Sequence, residues 1–513
     1  MLLVVVLMLL MPGAGAPWVD RHYFASAAFA TIARNQVQLG LRVTKGASVL
    51  RVDPRHPEPV AIYAHHPYGF PLLLAAVFRL AGATELAARG TAIACSLATA
   101  VLLYALMRRA FGWPTALVAT ALFGFAPGTL SDGRIVSLEQ PVLTAIVAAI
   151  WCFDRWMTSD RRRDFWLLFG VLVAGMMIEW QAYYLSAILP AAAWLIGPRP
   201  VQSRSLIVLA LLAPAMFVFF LLHTWLADPQ QIDDLYQTAL FRAGLLSGDQ
   251  QLEQLSQVTD YAIGDFFVQL GRHLQTELTL PLCVLALVGL VITIWKMRRE
   301  PATPRRLSLP LLLAAPAVCH TLLFSNAMYV HDCLSILFLP AAAALGSLAF
   351  DYLWSTPRWR SVGLVSVAMI FAMFVFSSLR ETAHLRDFVE PDAWIVGTEL
   401  LEKSRADDAV LIVGLPYNPG VFWYANRMLW FAGDDGEIVG EFRKPVDIRD
   451  VSVVAVLQGT TDYLAKPPPA DRGGRQFYER VAQTWQRVQR DFVEVGRTDN
   501  LIFYRPRPIN PMR

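Results

Sequence analysis

Charge is scarce in this chain. Asp, Glu, Lys and Arg make up 17% of 513 residues, against 55% hydrophobic residues, and the formal net charge is only +3. Lysine is rarer still, present only at 45, 296, 403, 444 and 466, and the arginines are not massed in one tract. Nucleic acid is therefore excluded as a partner, because its recognition needs a concentrated basic face. Cysteine is equally sparse: the five, at 95, 152, 283, 319 and 333, lie inside or at the edge of apolar runs and show no C-x-x-C spacing. That pattern excludes a disulfide framework and a zinc site. The glycines lack the strand-turn-helix spacing of a phosphate loop, so no nucleotide-binding signature is present.

What is abundant is apolar length. Runs of 16 to 23 hydrophobic residues recur over the first 380 positions, where a soluble chain would show mixed amphipathic segments. The fold class is an α-helical polytopic membrane protein with about 11 transmembrane helices. The candidate spans are 1–16, 88–107, 113–130, 135–153, 165–180, 181–196, 205–227, 279–295, 307–325, 330–349 and 361–379. Basic residues sort between alternate connections. Fifteen, including Arg108, Arg109, Arg155, Arg298 and Arg358, fall on one side, and three (Arg134, Arg242 and Arg272) on the other. The positive-inside rule makes the first side cytoplasmic. Segment 67–83 is apolar but carries Pro71 and Arg79, and counting it would invert every later cluster, so it reads as an interfacial or re-entrant helix. Residues 1–16 would reach only about 24 Å against a hydrocarbon core of about 30 Å. They read as a first span whose start lies upstream, the alternative being a signal peptide with an Ala14-Gly15-Ala16 exit.

The outer face then gathers ionisable residues at the ends of several hairpins. Asp20 follows the first apolar run directly and opens a loop of about 17–87; an acid set hard against a bilayer is a functional-site candidate. His65 and His66 close that loop, Arg134 and Glu139 lie in the next outer turn, Glu179 and Trp180 in the third, Arg242 and Arg272 in the long segment 228–278, and His331 with Asp332 in the fifth. Such a set suits group transfer at a membrane surface. A carboxylate can deprotonate an acceptor, and arginines grip a phosphate leaving group with paired hydrogen bonds. The long segment also mixes its arginines with Leu240, Phe241, Leu245, Phe266 and Phe267, as a site for an isoprenoid phosphate would.

These residues carry a family resemblance. The Asp after the first span, His66-Pro67-Tyr68-Gly69-Phe70-Pro71, Glu85-Leu86-Ala87-Ala88-Arg89, Arg108-Arg109-Ala110-Phe111-Gly112, and Gly133-Arg134 followed by Glu139 and Pro141 resemble the GT-C membrane glycosyltransferases. The nearest subgroup is the bacterial one related to aminoarabinose transferases and protein O-mannosyltransferases, and the likeness runs over about residues 17–350. Tyr68 stands where that family usually has a second Pro, and Glu139 where it has Asp. The resemblance implies eleven to thirteen spans and a sugar taken from a polyprenyl-phosphate donor on the extracytoplasmic side of a bacterial inner membrane. It makes Asp20, Glu139 and His66 the expected catalytic residues. His65, Arg89, Arg134, Arg242, Arg272, His331 and Asp332 are expected to hold substrate, with Glu139, His66 and His331 converging on Asp20. The acceptor is left open among lipid, glycan and protein. A divalent cation is compatible with the acids and histidines; the resemblance includes metal-independent members, so no metal ligand is assigned.

From about 387 the composition changes. Apolar β-runs at 409–413, 421–424 and 451–457 alternate with helical patterns at 392–405 and 475–490, which predicts a small extracytoplasmic α/β domain over 387–513 beside a transmembrane domain of 1–380. The competing function class is a transporter or flippase of lipid-linked sugars. That class predicts internal repeats and broken or charged helices near mid-membrane, which the sequence does not display.

Overall fold

The computed structural model describes residues 1–53, 58–159, 161–196, 203–245, 261–299, 304–355, 360–432, 451–470 and 472–507. Among the described residues, seven helices are long and apolar enough to cross a membrane: Glu85–Phe111, Glu139–Ser159, Arg204–Ala227, Leu280–Arg299, Arg306–Leu323, Asp332–Ser355 and Val365–Arg386. The chain is a polytopic helical membrane protein.

Eleven full-length spans are not found among the described residues, and local chemistry explains the difference. Segment 1–16 is helical only over Leu2–Leu10. Segment 113–130 forms Trp113–Phe125 and then breaks at Ala126, whose ψ of 146° is extended. Pro127 imposes that break, because its ring excludes the α region from the residue before it. Runs 165–180 and 181–196 become Arg162–Met176 and Leu185–Ile196, separated by a 3-10 turn at Trp180–Tyr184. Segment 67–83 is the 13-residue helix Gly69–Ala81, about 20 Å long and too short to cross.

The membrane helices pack through small residues, as helices in lipid must, since apolar contact alone distinguishes no helix from its lipid neighbours. A Cβ on Gly289 would lie 1.9 Å from the carbonyl oxygen of Leu345, so only glycine lets helices Leu280–Arg299 and Leu339–Ser355 approach this closely. The largest core, including Leu103, Phe123, Ile146, Leu282 and Ala343, lies among these helices.

Helix Tyr23–Leu39 and an antiparallel hairpin, β1 (Val49–Asp53) with β2 (Glu58–Ile62), form the first loop. Asn35 ties them together by donating to the carbonyls of Val49 and Leu50, each at 3.0 Å.

The C-terminal sheet contains β3 (Ala409–Val413), β4 (Met428–Phe431), β5 (Val453–Leu457), β6 (Phe492–Arg497) and β7 (Leu501–Pro506) in the order β4-β3-β5-β7-β6. The first three are parallel, and β7 pairs antiparallel with both β5 and β6. Residues 421–424, expected as strand, belong to helix Pro419–Ala425. Asn418 caps its start by accepting from the Gly420 amide, and Pro419 is preset for the first turn, which together favour helix over strand.

One apolar core joins this sheet to the first loop, with Trp18, Tyr23, Phe70 and Phe78 packed among Val410, Phe422, Trp423 and Phe431. Polar contacts fix the same junction. The Trp18 amide donates to the Tyr424 hydroxyl at 2.6 Å, the Glu390 amide to the Val19 carbonyl at 2.8 Å, and Arg34 to the carbonyls of Trp423 and Phe422.

Candidate functional site

Three clusters of ionisable residues lie where the first loop meets the helix ends. The first lines a cavity of about 760 Å³. Its polar wall includes His65, His66, Glu139, Glu179, Arg242 and His331, and its apolar wall Phe29, Phe217, Leu221, Leu235 and Phe324. Backbone contacts place the two histidines: the Gly69 amide donates to the Met177 carbonyl at 2.7 Å, and the Trp180 indole donates to the His65 carbonyl at 2.9 Å. That pins the end of the first loop beside Glu179, which sits in extended backbone ahead of the 3-10 turn.

A proton order follows from the geometry. Arg242 Nη2 lies 3.2 Å from His66 Nε2, and a guanidinium only donates, so Nε2 accepts and the His66 proton is on Nδ1. Nδ1 then donates to Glu179 Oε2 at 2.6 Å. Burial, with Arg242 and His65 adding to it, holds the His66 pKa well below its ordinary value, which keeps the ring neutral. Burial also raises the Glu179 carboxyl to about 8 against the opposing charge of Arg242, so below that pH its proton resides on Oε1. His65 is separately engaged by Asp234, 2.6 Å from its Nε2. His331 is pushed down to about 4, first by burial and then by Arg242, and presents a neutral imidazole to the cavity. Glu139 differs from these: it opens helix Glu139–Ser159, lines the cavity and makes no hydrogen bond or ion pair to any described residue.

The second cluster is built on Asp20. Its two oxygens accept from Arg89 Nη2 and Arg134 Nη2, each at 3.0 Å. Arg89 is wholly buried, lies over the Trp18 ring at 4.2 Å and also holds the carbonyls of Ala14, Ala16 and Pro17. Arg134 donates to the Pro12 carbonyl. Asp20 is therefore clamped rather than presented: it is absent from the cavity wall that contains Glu139, His66 and His331. The cavity wall thus contains Glu139, His66 and His331, while Asp20 is held by Arg89 and Arg134, buried guanidiniums that need a carboxylate partner.

The third cluster surrounds Arg21. Its guanidinium donates to Asp132 Oδ1 at 3.2 Å, Glu277 Oε1 at 3.2 Å and Asp332 Oδ2 at 2.5 Å. His22, held at φ 59°, places Nε2 3.3 Å from Asp332 Oδ1. Asp332, expected to bind substrate, is thus committed to Arg21 and His22. Metal-ligand chemistry is possible at His22, Asp332 and Cys333, whose nitrogen, oxygen and sulfur atoms lie within 4.8 Å of one another. Both Asp332 oxygens already have partners, since Oδ1 also accepts from the Cys333 amide at 2.8 Å.

Among the expected substrate-binding residues, His65, Arg242 and His331 reach the cavity, while Arg89 and Arg134 hold Asp20. Arg272 is exposed on helix Ile263–Leu278 and absent from the cavity wall. Sequence reasoning placed Arg21 on the outer face without giving it a role, and passed over Asp234 and Glu277. Glu277 carried one usable signal, as an acid on an amphipathic helix that the fold buries completely.

Residues 65–225 match the family described as dolichyl-phosphate-mannose-protein mannosyltransferase. Solved structures resemble the whole chain. ArnT from Cupriavidus metallidurans bound to undecaprenyl phosphate is 12% identical with a TM-score of 0.66, covering 98% of this chain and 97% of its own. The Archaeoglobus fulgidus oligosaccharyltransferase in complex with Zn and sulfate is 13% identical with a TM-score of 0.58, over 91% of this chain and 69% of its own. The arabinofuranosyltransferase AftD from Mycobacteria is 14% identical with a TM-score of 0.51, over 98% and 39%. No curated protein matches the chain by sequence.

Proposed function

We infer that this chain, which has the fold of the GT-C membrane glycosyltransferases, transfers a sugar from a polyprenyl-phosphate carrier to an acceptor outside the cytoplasm. The observation that carries this reading is a single cavity in which a free carboxylate, Glu139, and a guanidinium, Arg242, share an apolar wall. An isoprenoid chain suits that wall, and its phosphate suits Arg242. A related fold solved with undecaprenyl phosphate supports the same donor class.

The step is a displacement at the anomeric carbon. The acceptor oxygen or nitrogen forms a bond to that carbon as the bond to the phosphate oxygen breaks, and the electron pair leaves on the phosphate. Arg242 stabilises the charge that develops there, and its orientation is fixed by His66, itself held by Glu179. Glu139 accepts the acceptor's proton. Attack opposite the leaving phosphate inverts the anomeric configuration. Asp20, locked by Arg89 and Arg134, acts as a positioning residue that shapes the loop carrying Arg21 and His22.

By the arginine distribution, the cavity and the C-terminal sheet face away from the cytoplasm of a bacterial inner membrane. Sugar transfer by purified protein from a polyprenyl-phosphate sugar, with none from a nucleotide sugar, is the expected result. Transfer from a nucleotide sugar with no polyprenyl phosphate present overturns the donor assignment.

A further inference from the structure

Arg21 is encircled by acids drawn from three distant elements: Asp132 from the 3-10 turn Asp132–Arg134, Glu277 from helix Ile263–Leu278 and Asp332 from the 3-10 helix Asp332–Phe338. The side chains of Glu277 and Asp132 are 0% and 5% exposed, and that of Arg21 13%. Buried carboxylates at hairpin ends are the ligand set of a hard divalent cation, which takes six or more oxygens in a flexible shell. Here a guanidinium stands in the middle of that set.

We propose that Arg21 is a built-in cation that takes the place of a divalent metal ion in this cluster, and that removing its guanidinium uncovers a latent site for such an ion.

Coordination capacity remains around the guanidinium, because Glu277 Oε2 and Asp132 Oδ2 are buried with no hydrogen-bond partner among the described residues. A Cβ on Gly128 would sit 2.8 Å from that Glu277 oxygen, so a side chain at 128 would press on the carboxylate. His22 and Asp132 also line the cavity, so the fixed positive charge of Arg21 lies directly behind its wall. Placed there, a charge that needs no ion supplies the field a bound metal would supply. A network that only ties the loop in place shares these contacts but has no latent affinity for a metal.

The catalytic consequence rests on the transferase reading, whereas the cation site is read by metal binding alone. The experiment uses the purified full-length chain in detergent, stripped with EDTA and titrated with Mn²⁺, followed by electron paramagnetic resonance and by thermal unfolding. Wild type is expected to be indifferent to Mn²⁺ and to keep its transfer activity in EDTA. Arg21→Ala is expected to bind one Mn²⁺ at least about tenfold more tightly than wild type and to be stabilised by it. Adding Glu277→Gln to that variant removes the gain. If Arg21→Ala is recovered folded only when Mn²⁺ is present during purification, the proposal is supported. A folded Arg21→Ala that ignores Mn²⁺, or one that Mn²⁺ cannot rescue, overturns it, as does wild type that binds Mn²⁺ equally well or loses transfer in EDTA. A wild type that transfers no sugar from any lipid donor defeats the transferase reading and leaves the Mn²⁺ comparison intact.

Discussion

Arg242 and His66 meet nitrogen to nitrogen at 3.2 Å, and because the guanidinium can only donate, this one contact sets the proton positions of the whole relay to Glu179. The imidazole is neutral, the carboxyl beyond it is poorly ionised, and the charge of Arg242 therefore remains available to a ligand in the cavity.

Replacing Arg242 should weaken donor binding more than it damages the fold. Arg242→Ala is expected to raise the KM for a polyprenyl-phosphate sugar by about tenfold or more. Arg272→Ala should leave it unchanged, since Arg272 is exposed and away from the cavity. Initial-rate kinetics on both variants check this; equal effects from the two would remove Arg242 from the donor site.

Glu139→Gln is isosteric, at a position with no side-chain partner to lose among the described residues. Folding should survive, and kcat should fall by about 10²- to 10⁴-fold, the usual contribution of a positioned base. Asp20→Asn should cost stability as well as rate, because Arg89 and Arg134 each lose a charged partner. Should Asp20→Asn abolish turnover while Glu139→Gln is tolerated, the first-loop acid is the base and its arginine clamp opens when substrate binds.

The raised pKa of Glu179 has a stability consequence. Its folded value of about 8 exceeds the ordinary carboxyl value of 4.5, so its contribution is complete below the latter and is lost as pH rises through the former. The span corresponds to a loss on the order of 3–5 kcal/mol if nothing compensates. Thermal unfolding at pH 6 and pH 9 should show lower stability at the higher pH, and Glu179→Gln should flatten that difference. A pH difference unchanged in Glu179→Gln would falsify the assignment to this group.

Gly69→Ala tests how the histidine pair is placed. A Cβ at 69 would lie 2.4 Å from the Met177 carbonyl oxygen, and the backbone there cannot yield as a side-chain tip would. The expected cost is about 1–3 kcal/mol, together with reduced transfer as His65 and His66 shift. An unfolding temperature and a rate both equal to wild type would show that the loop is not held at this point.

The sequence by itself determined the membrane class, the gathering of ionisable residues at the ends of apolar segments, the GT-C fold and the sheet-forming tail. Each is written in local pattern: apolar run length, the alternation of arginine clusters, motif spacing around His66 and Glu139, and β-branched runs such as Val453–Leu457. Helix lengths were only partly legible, because a single residue such as Pro127 ends a span that hydropathy alone would continue. The tertiary structure alone decided which charges meet. Asp20 and Glu139 are both acids near helix ends, yet one is closed by Arg89 and Arg134 while the other stands free in the cavity. Arg21 meets Glu277 across 256 positions of chain. Coulombic partners are chosen by proximity and burial after folding, and a residue's own neighbours in sequence carry no record of that choice.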